Sequence, residues 1–266
     1  MSKTEVLLLV LIACAVAVLP VAARADWDVG DPAKWVQMPN PDGWDVSVTG
    51  GFVGDDFICT EPGWVTDIHF WGSWKGGLKG TISNVRVEFW RNDPGVTEGF
   101  SHPSTPIWGA DFGPSVVTER LWGEGDQGWY DPVTGEFTPK ESWPDHRQFY
   151  QYNIDMSWMP LDVLFYQEGG AAAPAIYWLL LKVTIAEGEA YDFGWKTALD
   201  QVLDDAVYDA TPTEWPPTWR PLTDPSIVTA VVSLDTAFVI NSVPEPGLLA
   251  LIGTGLLGLL GLRRRK

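Results

Sequence analysis

The stretch Trp64-Val65-Thr66-Asp67-Ile68-His69-Phe70-Trp71-Gly72-Ser73-Trp74 decides the fold class. Its side chains alternate with a period of two, the period of a pleated strand. Val65, Asp67, His69, Trp71 and Ser73 are expected on one face, and Trp64, Thr66, Ile68, Phe70 and Gly72 on the other. Similar β-branched and aromatic runs predict strands at Val85 to Trp90, Ser115 to Trp122, Phe149 to Ile154, Ala175 to Ala186 and Ile227 to Ile240. Gly76-Gly77, Asn92-Asp93-Pro94-Gly95 and Asp131-Pro132-Val133-Thr134-Gly135 carry turn chemistry. Helical periodicity is scarce between Trp27 and Ile240. The expectation is an all-β chain: a single antiparallel, jelly-roll-like β sandwich over residues 26–241. Pro212, Pro216, Pro217, Pro221 and Pro225 mark a long loop before the final strand. A domain split there would leave one strand behind it, so one domain is expected.

Both ends read as targeting segments. Val6 to Leu19 is almost wholly apolar, follows Lys3, and leads to Ala23-Arg24-Ala25 ahead of Asp26. This predicts a secretory signal over residues 1–25 with an A-x-A site, so the Sec translocon and signal peptidase are expected partners. An apolar run of about 14 residues rises only about 21 Å, short of a bilayer core of about 30 Å. A rival reading takes Leu11-Ile12-Ala13-Cys14 as a lipoprotein box acylated at Cys14; the apolar run, however, continues past Cys14 to Ala23.

At the other end Val243-Pro244-Glu245-Pro246 precedes Gly247 to Leu262, which carries no charge, and then Arg263-Arg264-Arg265-Lys266. About 16 apolar residues make about 24 Å of helix, a marginal transmembrane anchor. The basic cluster keeps its end cytoplasmic, so everything before Pro244 is expected outside. Over residues 242–266 the tail closely resembles the PEP-CTERM sorting signal in motif, apolar helix and basic end. The resemblance implies recognition by an exosortase, a membrane protease and transpeptidase of bacteria that secrete exopolysaccharide. It also implies Pro244, Glu245 and Pro246 as the recognised motif and Arg263, Arg264 and Arg265 as the retention element. A plain C-terminal anchor is the alternative. Gly253-Thr254-Gly255-Leu256-Leu257-Gly258 spells a dinucleotide fingerprint, but no strand and βαβ unit precede it.

Between Asp26 and Asn241 there are 11 Lys and Arg against 33 Asp and Glu, a formal charge of −22. Phosphate backbones and anionic lipid surfaces repel such a domain, which argues against nucleic acid as a partner. Cations, neutral glycans and basic proteins stay open. Cleavage after Ala25 would leave Cys59 alone, without an internal disulfide; its plain reading is a buried small hydrophobe. The segments Lys34-Trp35-Val36-Gln37-Met38-Pro39, Asp55-Asp56-Phe57-Ile58-Cys59, Thr66 to Trp74 and Ser101-His102-Pro103 also resemble uncharacterised β domains of PEP-CTERM surface proteins. That resemblance implies fold and boundaries and names no ligand.

All 16 tryptophans fall between Trp27 and Trp219. Most are expected in the core. The sharper reading is sugar stacking, with Trp71, Trp74 and Trp90, near Ser73, Asn92 and His102, as the expected platform for exopolysaccharide. With 33 carboxylates no acid and base pair stands out, which leaves a secreted glycoside hydrolase as the alternative to a non-catalytic envelope or matrix protein. Neither G-x-S-x-G nor H-E-x-x-H occurs, and three scattered histidines give zinc little support. Structural calcium stays open, with Asp42, Asp45, Asp55 and Asp56 as candidate ligands. An EF-hand beginning at Asn40 fails, since its twelfth position is Gly51.

Overall fold

The computed structural model describes residues 26–139, 143–189 and 191–243. Among them the strands are β1 (Trp35–Gln37), β2 (Trp44–Ser47), β3 (Val53–Cys59), β4 (Gly63–Trp74) and β5 (Ile82–Asp93). Next come β6 (His102–Phe112), β7 (Val117–Asp131), β8 (Glu136–Thr138), β9 (His146–Asp155) and β10 (Tyr166–Gln167). The last are β11 (Ala175–Ile185), β12 (Phe193–Lys196), β13 (Val207–Asp209), β14 (Trp219–Pro221) and β15 (Phe238–Val243). Among the described residues, helical structure is confined to two 3₁₀ turns, Lys75–Gly77 and Leu161–Val163. The chain is all-β, as its alternation predicts. The expected signal and transmembrane helices lie outside the described residues, among which no helix is long and apolar enough to cross a membrane.

Two sheets enclose the main core. The smaller runs β14-β13-β3-β11-β5-β6; the larger runs β1-β15-β4-β12-β2-β7-β8, with β9 joining β4 to β7 and β10 beside β4. Tyr177, Leu179, Leu181 and Val183 of β11 and Val85, Val87 and Phe89 of β5 project inward from the smaller sheet. Ile68, Phe70, Trp74, Tyr152, Phe193, Trp195 and Phe238 meet them from the larger one. Burying each such side chain stabilises the fold by about 1.5–3 kcal/mol before the entropy of ordering it is counted.

The larger sheet departs from a purely antiparallel sandwich. β2 runs parallel to β7, with Trp44, Asp45 and Val46 beside Gly128, Trp129 and Tyr130. That pairing completes a ring, β4-β9-β7-β2-β12 and back to β4, so part of the sheet is a five-stranded barrel. Two physical features permit closure. β7 carries register shifts between Leu121 and Gly123 and between Glu124 and Gln127, and bulges of this kind bend a strand. Gly72 lets β4 and β12 meet closely, since a Cβ there would collide with the Gly194 carbonyl and the Phe193 ring, and a Cβ on Gly194 would press on Trp129 of β7 and Asp45 of β2.

Closure changes the meaning of the opening stretch. Both faces of β4 are buried: Phe70 and Trp74 enter the sandwich core, while His69, Trp71 and Ser73 face the other side. Val65, expected with the latter, joins Ile68 and Phe70, because the ladder to β15 pairs Asp67 with Asn241 and Val65 with Ser242, leaving Thr66 as an extra residue.

Of the predicted strands, Ile227 to Ile240 needs the largest correction. Only Phe238–Val243 is strand; the preceding residues form a loop touched by isolated bridges at Ser233 and Thr236. The Pro-rich loop also contains β14. The turn after Asp131 forms as expected, with Asp131 Oδ1 accepting the Val133 N–H at 2.9 Å and Gly135 at φ +74.

Candidate functional site

The three tryptophans expected to share a platform are separated by the fold. Trp71 packs edge-on to Trp27 at 6.1 Å and Trp122 at 5.2 Å behind the larger sheet. Trp74 points to the opposite side of β4, where its Nε1 donates to Tyr152 Oη at 3.1 Å. Trp90 lies on the outer face of the smaller sheet. All three are buried, at 0%, 2% and 3% exposure, so they offer no common surface to a sugar. The separation follows from alternation on β4 and from Trp90 belonging to another sheet.

A different aromatic face forms around Trp90. Trp90 and Trp178 are direct cross-strand partners on β5 and β11, and they pack with Leu180, Val207, Phe52, Phe100 and Trp219. Their indole N–H groups donate to Glu88 Oε2 and Asn92 Oδ1, each at 2.7 Å, which holds the ring orientations. The Pro-rich segment then folds over them. Trp219 on β14 meets Trp90 edge-on at 5.8 Å, and Trp215 lies 5.9 Å from Trp90 at 55°. Trp215 is 74% exposed. The result is one outward indole rooted in a buried aromatic cluster, beside polar groups. Sequence reasoning missed Trp215 because it sits outside any strand; its signal was a Trp-Pro pair within the Pro-rich segment.

The barrel interior holds a buried polar network. Each of its five strands supplies one member: Asp45 from β2, Ser73 from β4, Gln127 from β7, His146 from β9 and Lys196 from β12. Lys196 Nζ donates to Asp45 Oδ2 at 2.9 Å and lies 5.6 Å from the Phe149 ring centroid. His146 Nε2 is 2.9 Å from the same Asp45 oxygen and 2.8 Å from Ser73 Oγ, and its Nδ1 is 2.8 Å from Asp145 Oδ1. Burial pushes the Asp45 carboxyl up, but Lys196 and His146 outweigh it and hold the group below the usual carboxylate range. Burial pushes His146 down, yet Asp45 and Asp145 carry it above its ordinary value.

Asp145, His146 and Ser73 thus have the contacts of a hydrolytic triad, but the chemistry runs the other way. Two flanking carboxylates favour the charged imidazole, the form in which both ring nitrogens donate, and Ser73 Oγ donates to Gln127 Oε1 at 3.3 Å. The group is sealed, with no exposed side-chain surface on His146 or Asp45. Its hydrogen bonds tie the five strands of the ring together, and removing one partner of a buried ion pair such as Asp45–Lys196 costs about 3–5 kcal/mol.

Asp45 Oδ2 is engaged by Lys196 and His146, while its Oδ1 is buried without a hydrogen-bond partner among the described residues. Asp42 holds a loop instead, its Oδ1 accepting the Asp126 N–H at 3.0 Å. Asp55 and Asp56 do meet further carboxylates. Asp55 is fully enclosed, its Oδ2 accepting the Thr236 N–H at 2.6 Å, and burial followed by the charges of Asp235 and Asp56 raises it strongly. Burial, then Asp204 and Asp235, push Asp56 up to about 8. Asp56 Oδ1 and Asp235 Oδ1 are also buried without a hydrogen-bond partner among the described residues. Among the described residues, no three ligand atoms that include one of the four expected aspartates lie within 4.8 Å of one another. The expected calcium set does not assemble.

Cys59 is buried and donates to the Glu61 carbonyl at 3.2 Å; burial raises its thiol. Clefts open on the surface of the described residues. One, of about 360 Å³, is walled by Trp44, Leu199, Asp224 and Asp235; another, of about 120 Å³, by Trp74, Lys79, Arg147 and Tyr150. Neither exposes the His146 network. Asp26 is described, its Oδ1 accepting Asn153 Nδ2 at 2.9 Å, whereas Ala23, Ala25, Pro244, Glu245, Pro246, Arg263, Arg264 and Arg265 lie outside the described residues.

Comparison with known proteins agrees with this division. Residues 242–266 match the PEP-CTERM protein-sorting motif, which implies export, surface sorting and exosortase as the processing partner. No curated protein and no solved structure matches the chain. Residues 33–241, all but the edges of the β domain, match the family described as "Domain of unknown function (DUF7901)", and the chain belongs to that family.

Proposed function

We propose that this exosortase-targeted surface protein is a non-catalytic binding module that contacts exopolysaccharide through the aromatic face on its smaller sheet. Trp215 carries the reading. Its ring is open to solvent and lies against Trp90, which is itself packed edge-on to Trp219. A pre-positioned indole loses little freedom on stacking against a pyranose, and carboxylates and amides nearby accept hydroxyl protons. The −22 charge favours a neutral or cation-bridged glycan. Support for a non-catalytic role comes from His146, whose triad-like contacts are sealed and whose protons point away from a nucleophile's needs. The same reading takes residues 1–25 as a signal removed through Sec and signal peptidase, and residues 247–262 as an anchor held until exosortase acts.

A glycan array probed with the full-length chain tests it. Wild type should bind a defined subset of polysaccharides, and Trp215→Ala should weaken that binding at least about tenfold, the loss typical of a truncated aromatic anchor. Affinity unchanged by Trp215→Ala, or release of sugar fragments by wild type, would overturn the proposal.

A further inference from the structure

The β5–β6 hairpin gathers side chains that neither the aromatic face nor the barrel network uses. Asp93 ends β5 and His102 opens β6, and the two are paired directly across the ladder. The connecting loop brings Glu98 to them. One carboxylate oxygen from Asp93, one from Glu98 and a ring nitrogen of His102 all lie within 4.8 Å of one another.

Two observations distinguish this group from an ordinary acidic surface. His102 Nδ1 is 3.2 Å from the Phe100 carbonyl. Its N–H donates there, leaving the lone pair on Nε2, and a backbone carbonyl on the other ring nitrogen is the usual way a metal-binding imidazole is oriented. The carboxylates, in turn, are close together without a compensating cation: among the described residues neither Asp93 nor Glu98 forms an ion pair with Lys or Arg. Asp93 Oδ1 accepts the Gly95 N–H at 2.9 Å, which fixes that carboxylate over the loop. The loop is drawn tight, since a Cβ on Gly95 would run into the backbone of Phe100.

We propose that Asp93, Glu98 and His102 form a binding site for a divalent transition metal of the zinc type. One imidazole and two carboxylates suit such an ion better than calcium, which takes oxygen ligands. Glu98 is exposed and the other two half-buried, so solvent fills the remaining coordination position and the ion exchanges freely. The strongly acidic domain concentrates cations near it. His69 and His146 are buried and already engaged, which makes His102 the histidine that free metal meets.

Calorimetric titration of the untagged full-length chain in detergent, stripped with chelator and titrated with zinc chloride, tests the site. One equivalent of zinc should bind, His102→Ala should abolish that uptake, and Asp93→Asn should weaken it at least tenfold. Calcium chloride should not displace the metal. Should His102→Ala fail to fold, imidazole ¹⁵N shifts of the wild-type protein provide the readout: zinc should move the His102 Nε2 resonance. Absence of saturable zinc uptake, uptake unchanged in a folded His102→Ala protein, displacement by calcium, or an unmoved His102 resonance would overturn the proposal.

Discussion

At the scale of single residues, buried charge is handled in two opposite ways. Asp45 stays ionised because Lys196 and His146 sit against it, whereas Asp56, surrounded by Asp204 and Asp235, is pushed up to about 8 and keeps its proton at neutral pH. The sign of the consequence is fixed by linkage. A carboxyl whose folded value is raised binds its proton more tightly in the fold, so its contribution is complete below the unfolded value of about 4. It is lost as pH rises through about 8. Asp56→Asn mimics the protonated acid without that dependence. The variant should therefore gain on the order of 2 kcal/mol over wild type at pH 9 and nothing near pH 4. Thermal melts across that range read the difference, and parallel profiles for the two proteins would show that Asp56 ionises freely.

At the scale of elements, β4, β5, β9 and β11 were legible, whereas the short strands, and also β3 and the 11-residue β6 with its Pro103 and Pro106, were not among those expected. β4 and β11 are 12 and 11 residues long, long enough for a period of two to stand out. β1, β8, β13 and β14 have three residues each, and three residues carry no period; they are strands because a neighbour offers them a ladder. Ile227 to Ala237 shows the converse, a β-branched stretch that finds almost no partner and remains loop. The barrel depends on such short elements, and β12 is held to β4 only at Phe193, Gly194 and Trp195. Gly72→Ala should break this contact, because the added methyl meets Gly194 and Phe193 where neither strand can yield. Overpacking of this kind costs about 1–3 kcal/mol, and more when backbone is the obstacle. Urea unfolding of the variant should show that loss; a midpoint within error of wild type would mean the ring tolerates opening.

At the scale of the whole molecule, the β domain ends where the sorting motif begins. Val243 still pairs with Trp64 on β4, and Pro244 is the next residue. Replacing Pro244, Glu245 and Pro246 with Ala should leave export intact and keep the apolar segment and Arg263-Arg264-Arg265-Lys266 on the chain. Membrane fractions should then hold the same larger species with or without exosortase, while wild type yields a smaller species only where the enzyme is present. Equal wild-type masses in both strains would reduce the tail to a plain anchor.

The sequence by itself determined the all-β class, the acidic character of the chain between its two ends and the sorting tail. Each of these resides in local pattern: a period of two, a count of charges, a run of apolar residues between a motif and a basic end. Tertiary structure alone decided that β2 pairs in parallel with β7, that a ring of five strands buries Asp45 with Lys196, and that Trp71, Trp74 and Trp90 lie apart while Trp215 reaches solvent. Those outcomes depend on pairings between residues as distant as Asp45 and Lys196. Which side chains become neighbours is set by bulges, by close approach at Gly72 and by strand closure, and none of these leaves a period in the chain.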